Sequence, residues 1–237
     1  MGRHATVAGR MAASSAARGR IFTKLAREIM VAARTGSDPS FNSKLRLAVD
    51  RARDNNMPKD VIERAIKKGA GELEGMTFEE ITYEGYGPGG SAILVEVLTD
   101  NRNRTNPELR KIFTKHSGNM GEIGSVAWMF KKKGLLDIAL GAVTEDKVME
   151  LALEAGADDV VVEDGFATVY TEPTAFASVR DALVAGGLQF DKAGLEMVPD
   201  TRVSLKGDNA KAALELVEKL EEQDDVQAVY YNFDVEE

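Results

Sequence analysis

Residues Ala92–Leu98 form an apolar run rich in β-branched side chains, interrupted only by Glu96. Such a run reads as a buried strand. It follows Tyr-Glu-Gly-Tyr-Gly-Pro-Gly-Gly-Ser (83–91), a glycine-dense turn, so Ile81–Tyr86 and Ala92–Leu98 are expected to pair as a hairpin around Gly87-Pro88-Gly89-Gly90. The strand runs out into Thr-Asp-Asn-Arg-Asn-Arg-Thr (99–105). Thr105 and Glu108 have the capping-box spacing and predict a helix from Thr105, with Leu109, Ile112 and Phe113 on its apolar face. A strand end, two arginines and a helix start are a plausible anion-facing rim. The competing reading is a polar loop whose Asp and Asn side chains tie the turn internally.

The segment before this hairpin has helical periodicity. Ile21, Leu25, Ala26 and Ile29 share one face of a first helix that ends near Gly36. Asp38-Pro39 is expected to start a second, with Leu45, Ala48, Val49 and Ala52 inward. Pro58 opens a third, with Val61, Ile62, Ala65 and Ile66 inward, ended by Gly69 and Gly71. Three short amphipathic helices with tight connections make a small helical domain. Their polar faces carry Lys24, Arg27, Arg46, Arg51, Arg53, Lys59, Lys67 and Lys68. Phe22 and Phe41 are expected in its core. Residues 1–19 show no clear apolar period and are expected to form an arm or a weak helix. The first 27 residues hold no acid and are rich in Arg, Ser and Ala, a composition shared by basic arms and organellar transit peptides.

Past the 99–105 loop, Gly118–Ser125 has the glycines of a phosphate loop but not its Lys-Ser/Thr ending. It also follows a helix instead of preceding one, so a cap and turn are expected. Val126–Phe130 is expected to be a strand with Trp128 in the core. Then Leu135–Leu140, Glu145–Ala155, Val160–Glu163, Ala167–Thr171, Phe176–Ala185 and Leu188–Val198 alternate as β-α-β-β-α-β, the ferredoxin-like order. A last helix, Asn209–Glu222, and strand, Val226–Tyr231, cannot bury a core alone. They complete the 78–133 module if 134–199 is inserted. The fold class is therefore α+β, with three domains: a basic three-helix domain (1–75), a discontinuous α+β domain (78–133 with 200–237) and an inserted ferredoxin-like α+β domain (134–199). Both α+β domains are expected to be ferredoxin-like.

Charge divides along the same lines. Residues 1–71 carry 15 Lys/Arg against 6 Asp/Glu, and residues 134–237 carry 7 against 24. The head attracts polyanions and the acidic part repels them. The chain contains no cysteine and two histidines, His4 and His116, which leaves little material for a thiolate site, a catalytic triad or a histidine-rich metal site. No apolar run approaches the roughly 20 residues of a membrane helix. No metal, cofactor or membrane partner is expected. Tyr83 and Tyr86 either form an exposed stacking patch or pack on neighbouring strands, the latter being preferred.

Six motifs carry a family resemblance: Arg-Gly-Arg-Ile-Phe-Thr-Lys-Leu (18–25), Asn-Asn-Met-Pro-Lys-Asp (55–60), Glu-Arg-Ala-Ile-Lys-Lys-Gly (63–69), Tyr-Glu-Gly-Tyr-Gly-Pro-Gly-Gly (83–90), Thr-Asp-Asn-Arg-Asn-Arg-Thr (99–105) and Gly-Ser-Val-Ala-Trp-Met-Phe (124–130). Together they resemble the YebC/PmpR family. The resemblance implies a cytoplasmic, non-enzymatic regulator associated with nucleic acid. Bacterial members are generally described as DNA-binding transcriptional regulators; a mitochondrial relative activates translation, and some members associate with ribosomes and relieve stalling at proline runs. The partner is thus expected to be DNA, with ribosomal RNA as the alternative; an enzyme with an interdomain carboxylate site is a distant third reading. The family's basic segment maps onto Arg18, Arg20, Lys24 and Arg27, and its arginine motif onto Arg102 and Arg104. Upstream the chain departs: His4-Ala-Thr-Val-Ala-Gly-Arg lacks the lysines and tryptophan of the family arm. Because the family pattern already runs through Arg18–Leu25, the resemblance favours the basic arm over a transit peptide.

Overall fold

The computed structural model describes residues 15–73, 77–141 and 143–236. The expected arm over residues 1–14 lies outside the described residues. In chain order, helices α1 (Ser15–Ala33), α2 (Ser43–Asp54) and α3 (Lys59–Gly69) come first. Strands β1 (Glu79–Tyr86) and β2 (Ala92–Thr99), helix α4 (Arg102–Lys115) and the short strand β3 (Asn119–Met120) follow. Then come β4 (Phe130–Ala139), α5 (Glu145–Glu154), β5 (Asp159–Glu163), β6 (Phe166–Thr171), α6 (Phe176–Ala185) and β7 (Lys192–Pro199). The chain ends with β8 (Val203–Leu205), α7 (Gly207–Glu221), β9 (Val226–Tyr231) and β10 (Phe233–Val235). The described residues form two compact units, one from 15–126 plus 205–231, the other from 127–204 plus 232–236.

In the first unit, α1–α3 close around Ile29, Leu45, Ala48, Val49, Ala52, Ile62 and Ala65, with Phe22 and Leu25 packed at the edge. Gly69 permits this closure: a Cβ there would lie 2.2 Å from the Met30 carbonyl oxygen of α1. Two sequence expectations fail here. The cap of α2 is Asn42, whose Oδ1 accepts from the Leu45 amide at 3.1 Å. Asp38-Pro39 instead forms a preceding turn, with Asp38 Oδ1 accepting from Ser40 N, because an Asp side chain can bond its own backbone two residues on. Phe41 sits on that turn and is 92% exposed, not core. Residues 15–19, expected in an arm or a weak helix, form the first turn of α1.

The same unit holds a four-stranded sheet in the order β3-β1-β2-β9. Strands β1 and β2 pair from Glu79↔Thr99 to Tyr86↔Ala92, and β2 also pairs with β9. A strand hydrogen-bonded on both sides explains the apolar run: Ala92, Ile93, Leu94, Val95, Val97 and Leu98 are all buried. Glu96 is the half-buried exception, and its carboxylate accepts from the Tyr230 hydroxyl. The connecting turn places Gly89 and Gly90 at positive φ, where side chains with a Cβ are strained.

In the second unit the sheet order is β5-β6-β4-β7, all antiparallel, the ferredoxin-like arrangement. Its core joins Leu136, Ile138, Ala167 and Val169 to Val148, Ala152, Val179 and Leu183 of α5 and α6. Asp164-Gly165, both at positive φ, turn the β5–β6 hairpin. The first sheet shares the α+β character but has its hairpin at the centre, whereas the β5–β6 hairpin stands at one side of the second. Val126–Phe130 is not a separate strand. Residues 127–129 make one 3₁₀ turn that leads into β4, and Trp128 on it is exposed, not core. No helix among the described residues is long and apolar enough to cross a membrane.

Candidate nucleic-acid interface

Three of the six expected site residues converge on residues 221–225, from the end of α7 to the start of β9. Lys24 extends from α1 and its Nζ donates to the Glu221 carbonyl at 2.6 Å. Arg27, one turn on, donates to the Asp224 carbonyl. These carbonyls close the C-terminal end of α7, where the helix dipole favours cations. Burial lowers the Lys24 ammonium below its ordinary value; the neighbouring Glu221 and Asp224 charges oppose that shift, and Arg20 and Arg27 reinforce it. The Arg27 guanidinium also lies 5.5 Å from the centre of the Phe78 ring, a cation–π contact.

Asp225 is the centre of this cluster, with 2% of its side chain exposed. Arg27 Nη1 lies 2.9 Å from its Oδ1, an ion-pair contact without hydrogen-bond alignment. Arg104 Nη2 lies 2.7 Å from its Oδ2 and 2.9 Å from Asp100 Oδ1. Thr105 donates to Oδ2 at 2.6 Å, and the Thr99 hydroxyl is within 3.2 Å. Burial pushes the Asp225 carboxyl upward. The Thr105 and Arg104 hydrogen bonds and the charges of Arg27 and Arg104 outweigh it, so the group lies below its ordinary value and stays ionised. The backbone of the turn is fixed as well: Leu98 N donates to the Asp225 carbonyl, and Gln223 Oε1 accepts from Asp225 N.

This cluster corrects the expected capping box. The N-cap of α4 is Asn101, whose Oδ1 accepts from Arg104 N, and Thr99 Oγ1 accepts from Asn101 N. Thr105 is buried inside the first turns of α4, bound to Asp225. The internally tied loop therefore describes most of 99–105. Arg102 differs: it is exposed, beside the Tyr83 phenol. Burial raises that phenol, and the Arg102 guanidinium opposes the shift. Tyr83 is buried and Tyr86 half-buried, the latter donating to the Ser125 carbonyl at 3.0 Å, so the packed reading of the two tyrosines holds.

The glycine-rich 118–125 segment is also self-contained. Glu84, buried in β1, accepts from Gly124 N at 2.6 Å and Val126 N at 2.7 Å through its two carboxylate oxygens. An internal carboxylate thus takes the amides that a phosphate loop would offer to its ligand.

Several cations on the helical head face solvent. Arg18 is exposed and Arg20 half-exposed on the first turns of α1. Lys44, Arg46, Arg64, Lys67 and Lys68 are exposed on α2 and α3, with no carboxylate paired to them among the described residues. By contrast, Arg51 and Arg53 pair with Glu28 and Asp50, and Lys59 lies 3.7 Å from Glu63. Sequence reasoning named Arg46, Lys67 and Lys68 as polar-face residues but did not separate paired from unpaired cations. It missed Asp225, 121 residues after Arg104, because nothing local links the two.

Residues 2–72 match the model of the TACO1/YebC protein N-terminal domain, and residues 78–233 that of the TACO1/YebC second and third domain. A protein of Trichlorobacter lovleyi named probable transcriptional regulatory protein is 56% identical over 97% of this chain and 93% of its own length. A Treponema denticola protein of the same name is 53% identical over 98% and 95%. The crystal structure of a conserved hypothetical protein from Aquifex aeolicus superposes with a TM-score of 0.89 at 44% identity, covering 98% of this chain and 97% of that one. With both family models matched across the helical head and the two sheet-bearing parts, the chain belongs to the TACO1/YebC family of regulatory proteins.

Proposed function

We propose that the protein regulates gene expression by binding nucleic acid, with DNA as the partner and transcription as the process, in line with the name its relatives carry. The observation that carries this reading is the set of exposed, unpaired cations on the helical head. Phosphate contacts supply most non-specific affinity and need no base readout. In this reading Arg18 and Arg20 on α1 and Arg102 at the start of α4 meet phosphates, together with Arg46, Lys67 and Lys68. Lys24, Arg27 and Arg104 act one step back: they fix α1 and α4 against the α7–β9 turn, so that the exposed cations keep their spacing. The chain works as three modules, a basic head (1–75), a discontinuous α+β domain (78–133 with 200–237) and an inserted domain (134–199) whose net negative charge repels a polyanion. Catalysis has no part in the proposal.

The test is duplex-DNA affinity as a function of salt. If phosphate contacts dominate, log affinity falls with log salt by roughly 0.9 per contact. Charge reversal at Arg18 and Arg20 should reduce that slope by about two contacts. A flat salt dependence removes the phosphate account. Comigration of the protein with ribosomal particles in a sucrose gradient, lost in the charge-reversed variant, would instead make ribosomal RNA the partner.

A further inference from the structure

Helices α4 and α7 pack against each other within the first unit. Leu109 and Phe113 of α4 and Leu216 and Leu220 of α7 turn inward and are buried. Outside these side chains the two helices leave a cleft of about 340 Å³, within the roughly 300–1,000 Å³ of small-ligand sites. Lys111, Ile112 and Lys115 line it from α4, and Lys219 lines it from α7. The lining is mainly apolar, as lysine stems beside an isoleucine make it, with the ammonium groups left to reach the rim.

The carboxylates around the cleft face other groups. Glu108 Oε2 accepts from Gln223 Nε2 at 2.6 Å. Glu222 Oε2 lies 2.7 Å from Lys219 Nζ, and Glu215 Oε2 lies 3.9 Å from His116 Nδ1. Lys111 and Lys115 are exposed and have no carboxylate partner among the described residues. Two lysines one turn apart have Cβ atoms about 5–6 Å from each other, so they can share one phosphate or meet two in succession. The cleft also adjoins the head. Lys24 of α1 donates to the Glu221 carbonyl two residues past Lys219. Gln223, which lines the cleft, accepts from Asp225 N, and Asp225 pairs with Arg27. The Glu222 hydrogen bond raises the Lys219 ammonium above its ordinary value, and Arg20 of α1 is near enough to oppose that shift. Cations of α1, α7 and α4 thus follow one another from the head into the cleft.

We propose that the α4–α7 cleft is a second phosphate-binding surface continuous with the head, in which Lys111 and Lys115 hold the backbone of the bound nucleic acid while Ile112 and the lysine stems pack on its sugar edge. The inference rests on the nucleic-acid reading above and extends it from the helical head to the sheet-bearing part of the first unit. Lysine contacts to phosphate fix register and orientation without reading bases. The cleft therefore adds affinity and sets the path of the strand, with no preference for sequence.

The experiment uses the full chain and a dye-labelled DNA duplex. Affinity is measured by anisotropy across a salt series, and lysine accessibility by an amine-acetylating reagent read by mass spectrometry, with and without the duplex. The duplex should protect Lys111 and Lys115, while exposed Lys147 of the second unit stays reactive. The double variant Lys111→Gln/Lys115→Gln should lower the salt slope by roughly 0.9 per lysine, about two contacts in all. Lys111→Arg/Lys115→Arg should keep the slope. Both side chains are exposed, so each double variant should keep the wild-type thermal unfolding curve. Lys132→Gln/Lys147→Gln removes the same charge from exposed positions of the second unit and should leave the slope at the wild-type value. If Lys111 and Lys115 label equally with and without the duplex and their glutamine variant keeps the wild-type slope, the inference is overturned and the head alone carries the affinity. A slope lowered as much by the second-unit variant overturns it too, since net charge then accounts for the effect. If the wild type binds no duplex at any salt, the nucleic-acid reading itself fails and takes this inference with it.

Discussion

Replacing Asp225 by Asn tests whether the α7–β9 turn holds the head in place. The substitution preserves shape and removes one charge. Arg27, with 14% of its side chain exposed, then loses its carboxylate, and Arg104, with 42% exposed, keeps only Asp100. Breaking a buried pair by removing one partner costs about 3–5 kcal/mol. Arg104 must be discounted towards the roughly 0–1 kcal/mol of a surface pair, since solvent and Asp100 both remain to it. Arg27 retains its bond to the Asp224 carbonyl and its contact with Phe78. The expected loss is therefore about 2–4 kcal/mol in the first unit. At about 2–4 °C per kcal/mol, its thermal midpoint should fall by roughly 5–15 °C. Differential scanning calorimetry reads this directly if the two units unfold in separate transitions, and urea unfolding monitored by hydrogen exchange on α1 reads it otherwise.

The pH dependence supplies an independent check with a fixed sign. The folded Asp225 carboxyl lies below its ordinary value, and an unfolded Asp titrates near about 3.9. Its contribution is complete above the unfolded value and is lost as pH falls through the folded one. Wild type should lose this stability only below about pH 4, and Asp225→Asn should show a flatter profile there. A variant within about 0.5 kcal/mol of wild type at neutral pH, the range of ordinary surface changes, would refute the idea that the cluster fixes α1. So would an unchanged acid limb.

Glu84→Gln replaces one of the two acceptors for Gly124 N and Val126 N by a donor; the expected cost is about 1–3 kcal/mol, with faster amide exchange at those two residues by mass spectrometry or NMR. Gly69→Ala drives a methyl against the Met30 backbone and should cost about 1–3 kcal/mol as an overpacking change, read by chemical denaturation. Arg102→Ala touches an exposed side chain and should leave stability within about 0.5 kcal/mol while lowering the salt slope of DNA binding by roughly one contact.

Element identity was largely legible because the periodicity is strong. The Ala92–Leu98 run is buried as its composition requires, and the β-α-β-β-α-β alternation folds in its expected strand order. The failures are local competitions that periodicity does not weigh. At Asn42 and Asn101 the true caps lie four residues from the expected ones, since Asp38 and Thr105 had other uses for their side chains. At Trp128 an apolar stretch looked continuous, yet a single tight turn rotates the largest member outward. The site was legible only as charge. Sequence identified basic residues on α1 and in the 99–105 loop, but their partners come from a turn more than 100 residues downstream.

That pairing changes what the basic head does. A helix whose cations were all free would hold its charge on a surface able to move against the sheet, and ordering it would cost part of any binding energy. Here Lys24 binds the Glu221 carbonyl at the end of α7, Arg27 binds the Asp224 carbonyl and the Asp225 carboxylate in the turn that follows, and Arg104 meets the same Asp225 from α4. Three elements distant in sequence are joined at one buried carboxylate. Exposed Arg18 and Arg102 and half-exposed Arg20 flank these anchored positions on the same two helices. Their spacing is thereby fixed by contacts within the first unit, which the proposed phosphate binding would use. If so, Asp225→Asn should weaken DNA binding although it makes the protein less acidic, the opposite of what net charge alone predicts. Tighter binding by that variant, measured at fixed salt, would show that the acidic turn merely competes with phosphate for Arg27 and Arg104.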